Sequence, residues 1–188
     1  MRFQSGWKEN FMEKTVAVII ELSVSVCALW LMFLLSTLFH ELGHAVGYML
    51  ATGDRQWHIR VGWGKRILNT KRLTVNLLVF DGLFSPSKRE FDSKAKLIMT
   101  LLGGPVFSLV LVAGLLGLRC SGPVLQSDFF ADSAMEFFLN TALSVNLFIL
   151  VLSIVPIRYF HGEIRGLETD GLQILHTIRQ HKDEFPPV

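Results

Sequence analysis

The apolar positions of this chain fall into long blocks, with few narrow stripes. Residues 15–39 carry Glu21 as their only charge, and residues 97–118 and 137–157 carry none. Each block reaches the roughly 20 residues a membrane-spanning helix needs, so the pattern predicts three transmembrane helices. The first is expected to continue to residue 50, because residues 15–50 contain no proline and glycine only at Gly43 and Gly47. At about 1.5 Å per residue such a helix approaches 50 Å, so it must tilt, protrude or bend. Its apolar core is too long for a cleavable signal peptide, and it reads as a retained helix.

Residues 56–80 have a different texture. They are rich in Val, Ile, Leu and Trp, and Gly62, Gly64 and the polar stretch 69–72 break them into short runs. Such runs predict two or three short strands, a β-hairpin or small sheet between the first two spans. The strands read either as a structured loop or as an exposed edge that takes up an extended peptide. Near the C-terminus, Leu172, Leu175 and Ile178 stand at helical spacing, which predicts a short amphipathic helix over 171–181. The expected fold class is therefore an all-α membrane protein with a small β insertion, one embedded domain over residues 1–188.

Composition sharpens this picture: 51% of the 188 residues are hydrophobic and 18% charged, on the membrane side of the soluble norm. A net charge of +2 implies no nucleic-acid partner. Lys and Arg number ten in residues 51–96 and four after residue 157, against three before residue 15 and one in 119–136. By the positive-inside rule the loop 51–96 and the tail lie in the cytoplasm. Cys27 and Cys120 have neither disulfide-framework nor zinc-ligand spacing.

Candidate chemistry is concentrated at one end of the first span, in His40-Glu41-Leu42-Gly43-His44. Two histidines four apart on a helix share a face and can both ligate a zinc ion, while the intervening glutamate stands beside the water such an ion would acidify. Ionisable residues at the end of a spanning helix are costly, and a metal partner accounts for their presence. A third ligand is needed, and the first and third spans run in the same direction. Their C-terminal ends therefore share a face, which offers His161, Glu163, Glu168 and Asp170. Asp170-Gly171 also reads as a turn or a helix N-cap.

HELGH at the end of a span, Gly103-Gly104-Pro105 in the next, and Pro156 followed by Thr169-Asp170-Gly171 resemble the site-2 protease family of intramembrane zinc metalloproteases. The resemblance covers roughly residues 34–175. It implies one zinc ion held by His40, His44 and Asp170, with Glu41 as general base; by donor chemistry His161 is the alternative third ligand, a neutral imidazole being an equally good zinc donor. It also implies hydrolysis of membrane-protein or membrane-bound peptide substrates, in a bacterial cell membrane, at a site near its cytoplasmic face. Two features depart from the commoner pattern. Residues 157–169 form a longer insert after Pro156, and Ser153 and Ser108 stand where relatives often have Asn.

The Gly-Gly-Pro step also reads as a packing device, and Asn140 and Asn146 as hydrogen-bonding groups between helices. Two rival classes remain open, a non-catalytic membrane binding or chaperone-like protein and a metal-trafficking protein. The second needs polar residues along a membrane path, whereas the ionisable cluster lies at one end. The chain has no room for an added peptide-binding domain, so recognition is expected to use the spans, the strands or an accessory membrane protein.

Overall fold

The computed structural model describes residues 3–87, 91–121, 133–159 and 166–179. They form two units, Met1–Met32 and Phe33–Val188. Helix α1 is Phe3–Thr52, with residues in both units. In the first unit its apolar side chains are exposed around the helix, Val18, Ile19, Ile20 and Leu22 among them. Ser23 and Ser25 return their hydroxyls to the carbonyls of Ile19 and Glu21, so neither leaves a polar group unsatisfied.

The second unit begins with the polar, buried end of α1. The helix stops at Gly53, whose φ of 72° is left-handed and whose N–H reaches Met49 O at 2.9 Å, an αL cap. Strands β1 (Trp57–Asn69) and β2 (Leu73–Pro86) follow as a two-stranded antiparallel sheet. Its register is irregular because the hairpin folds back on itself. Ile59, Arg60 and Val61 pair with Phe84, Leu83 and Gly82 on one side and with Leu73, Thr74 and Val75 on the other. Gly62 and Gly64 make that bend, at φ of 75° and 84°, and Asn76 donates to Gly62 O at 2.7 Å. The β-rich stretch therefore extends to Pro86, six residues beyond the expected limit of 80, because Asp81 and Gly82 continue the strand.

Helix α2 (Lys94–Cys120) starts at the N-cap Ser93, which accepts from Lys96 N, and carries Pro105 in its interior. Helix α3 (Ser133–Ile154) ends two residues before Pro156, earlier than the expected 157. The residue preceding a proline is pushed out of the helical region, which accounts for the difference. An isolated bridge, Arg158 to Glu168, then leads into α4 (Asp170–Arg179), the short amphipathic helix. Its expected end at 181 lies outside the described residues. Helix α2 packs against α3 and α4.

Three described helices are long and apolar enough to cross a bilayer: Met12–Thr52, Lys94–Cys120 and Met135–Ile154, in which 18-residue stretches reach mean hydropathies of 2.4, 2.2 and 2.1. By length and composition they point to a membrane protein. The fold is thus mostly helical, with the hairpin inserted between the first two helices.

Candidate metal centre

The site is built where α1 and α2 touch through glycine. A methyl group added at Gly43 would meet the backbone of Gly103, and one added at Gly103 would meet the carbonyl of Gly43. One turn on, a Cβ at Gly47 would fall against Met99 O and Thr100. Small residues let the two backbones approach this closely, the usual way to pack helices in lipid. One turn of α1 thereby presents His40 and His44 to α2, both buried at about 5–6% exposure.

Gly104 sits directly against the two imidazoles. A Cβ there would meet His44 Nε2 and approach His40 Nε2 to 2.7 Å. The middle glycine of the Gly-Gly-Pro step therefore makes room for the site as well as for packing. Thr100, Gly104 and Ser108 lie at four-residue spacing on one face of α2, and each meets a histidine. His44 Nδ1 donates to the Thr100 carbonyl at 2.9 Å, and His40 Nδ1 is hydrogen-bonded to Ser108 Oγ at 2.8 Å. A carbonyl only accepts, so His44 Nδ1 carries a proton and Nε2 is the ring nitrogen left to face a metal.

Asp170 arrives from the other end of the sequence. Thr169, 1% exposed, accepts from Leu172 N at 3.4 Å and so caps α4, while its hydroxyl donates to Val155 O at 2.7 Å. Gly171 fits against Ile154 O, where a Cβ would clash. The cap role expected of Asp170 thus belongs to Thr169, and the Asp170 carboxylate is left to face the histidines. Its Oδ2 lies 3.2 Å from His40 Nε2 and 3.4 Å from His44 Nε2, and the two Nε2 atoms are 3.2 Å apart.

These three atoms form a nearly equilateral triangle of potential ligands, all within 4.8 Å of one another. A tetrahedral zinc with bonds of about 2.0–2.1 Å has ligand-to-ligand edges of about 3.4 Å, which this triangle matches. Both imidazoles already hold outer partners at Nδ1, the arrangement that orients a metal-binding histidine. The residues therefore fit a metal ion.

Glu41, 6% exposed, lies within electrostatic reach of His40, His44 and Asp170. Its carboxylate occupies the space left by the missing side chain of Gly82 on β2. The strand runs on along α1, with the Phe84 ring 6.1 Å from His44 and 5.8 Å from Tyr48. Burial, then the Asp170, Glu41 and Asp81 carboxylates, push the Tyr159 phenol up to about 12, which places Tyr159 in the same electrostatic neighbourhood.

Other expected residues stand elsewhere. Glu168 pairs with Arg158 at 2.8 Å and His176 at 3.0 Å. Burial alone would raise its pKa, but those partners outweigh it and hold the carboxyl below the usual range. Ser153 and Asn146 donate to Leu150 O and Ala142 O of their own helix, so Asn146 does not make the interhelical bond expected of it. Asn140 does, accepting from Arg119 of α2. His161 and Glu163 lie outside the described residues.

Sequence reasoning missed the parts played by Thr100 at His44 and by Gly82 at Glu41. The four-residue spacing of Thr100, Gly104 and Ser108 was the available signal for Thr100. Comparison with protein-family models, with curated proteins and with solved structures finds no match to this chain.

Proposed function

We propose that this chain is an intramembrane zinc metalloprotease of the site-2 protease kind, which hydrolyses a peptide bond of a membrane protein or membrane-bound peptide. The observation that carries the reading is the triangle of His40 Nε2, His44 Nε2 and Asp170 Oδ2, with the Glu41 carboxylate in its electrostatic reach. The depth of the site supports it. Gly104 lies seven residues into the apolar stretch of α2 that begins at Leu97, about 10 Å along the helix.

A zinc ion held there would polarise a substrate carbonyl and acidify water. The chain's own residues supply the rest. Ser108 and the Thr100 carbonyl orient the imidazoles, and Asp170 completes the ligand set. Glu41 takes a proton from the attacking water and delivers it to the departing amine nitrogen. A helical substrate hides its scissile carbonyl in its own hydrogen bonds, so the cleaved segment must unwind at the site. The excess of Lys and Arg in residues 51–96 and in the tail supports a site at the cytoplasmic face of a bacterial cell membrane.

The test is metal content and cleavage of a transmembrane peptide by the purified full-length protein. The wild type is expected to carry one zinc per chain and to cut the peptide. Glu41→Gln should keep the zinc and lose at least about 100-fold in rate, the usual scale of a general base. An unchanged rate in Glu41→Gln removes Glu41 from the mechanism. Asp170→Ala should lose the metal, and stoichiometric zinc in that variant would transfer the third position to another donor.

A further inference from the structure

Beyond the metal centre, the residues following α1 and the outer ends of the hairpin enclose a cleft of about 640 Å3, lined in part by Arg55, Trp57, His58, Lys71, Arg72 and Ser85. Among the described residues no carboxylate lines it. The Arg72 guanidinium lies 5.0 Å over the Trp57 ring, and its Nη2 donates to Arg55 O at 3.2 Å, which fixes one cation in the wall. His58 is held by Thr74 Oγ1 at 3.1 Å. Among the described residues, Arg55, Lys71 and Arg72 form no ion pair with a carboxylate. Asp54, next to the cleft, accepts from Tyr48 at 2.7 Å, Ser87 at 2.5 Å and the Gln56 amide at 2.9 Å, so its charge is spread over several donors. Like charges gathered in a cavity repel one another unless an anion joins them.

The place of the cleft says which anion. Arg55 and Trp57 follow the end of α1 at Thr52 by three and five residues, and Ser87 is tied to Asp54. Helix α2 begins at Lys94 and turns apolar at Leu97, and its Thr100 packs beside Gly47. The cleft therefore lies at the level where two spans leave the apolar layer, and indole rings and basic side chains are typical of that boundary. We propose that this cleft binds the phosphate of an anionic membrane lipid headgroup. Arg72, stacked on Trp57, offers a fixed planar fork, and Arg55 and Lys71 close on the phosphate from the rim. The site owes nothing to the metal centre and would persist if the protease reading failed.

The test is titration of the full-length chain in detergent with short-chain phosphatidylglycerol, followed by calorimetry. Arms with phosphatidylcholine, inorganic phosphate and a Glu-rich peptide separate the sources of negative charge. Saturable binding of phosphatidylglycerol is expected, at least about tenfold tighter than phosphatidylcholine or inorganic phosphate. The double variant Arg55→Gln with Lys71→Gln, which leaves the Arg72–Trp57 contact in place, should weaken it by about tenfold or more. Lys65→Gln with Arg66→Gln, on the exposed part of β1, should leave affinity unchanged and controls for total charge. Equal affinity for the two lipids, full affinity in the first double variant, or equal loss in both overturns the proposal. So does inorganic phosphate or the Glu-rich peptide binding as tightly as phosphatidylglycerol.

Discussion

The seam between α1 and α2 and the β1–β2 hairpin both depend on glycine, for opposite reasons. In the seam, Gly43, Gly47, Gly103 and Gly104 are helical and their neighbours leave no room for a methyl group. In the hairpin, Gly62 and Gly64 are needed for their left-handed backbone, and a Cβ at Gly64 would make only an ordinary contact with Leu78. The seam therefore sets distances, because backbone against backbone cannot give way as a flexible side chain can. The hairpin sets a path. Its inner residues Ile59, Val61 and Val79 are fully buried, whereas Trp63, Ile67 and Leu68 are exposed. A triangle with edges of 3.2 to 3.4 Å needs the first kind of support.

The contrast is broken most directly at Gly104. Gly104→Val drives two methyl groups toward His44 Nε2 and His40 Nε2, and metal affinity should fall by at least about 100-fold, read as zinc retained after dialysis. A variant that keeps zinc as the wild type does would show that the seam does not position the imidazoles. Ser108→Ala sharpens the same point more gently. Loss of the hydrogen bond to His40 Nδ1 should cost about 10- to 100-fold in metal affinity, with Ser108→Thr restoring most of it. Equal affinity in Ser108→Ala would leave the 2.8 Å contact without a role in binding. On the exposed part of the hairpin, Ile67→Thr should move stability by no more than about 0.5 kcal/mol and leave zinc content unchanged. A large drop in melting temperature would mean that this strand is packed in solution.

What the sequence revealed follows the same division. The three long helices were legible because each is a local property, an apolar block of sufficient length, and the HELGH spacing placed both histidines on one face by periodicity alone. Asp170 was reachable through chain direction, since helices running the same way end on the same side. Gly104 and Thr100 were hidden for a different reason. Their function depends on which face of α2 meets α1, a tertiary fact that no local window carries. The expected β stretch ended at residue 80, short of Gly82, whose missing side chain leaves space for Glu41, a tertiary fit with no local signal.

The placement of Asp170 has a consequence for biogenesis. His40 and Asp170 are separated by 130 positions, and Asp170 is set in place only when Thr169 hydrogen-bonds Val155 O beyond the end of the last span. A growing chain thus carries both imidazoles long before it carries the carboxylate that would complete the set. An ion held by all three would tie α1 to α4, so full coordination waits until synthesis has passed Asp170.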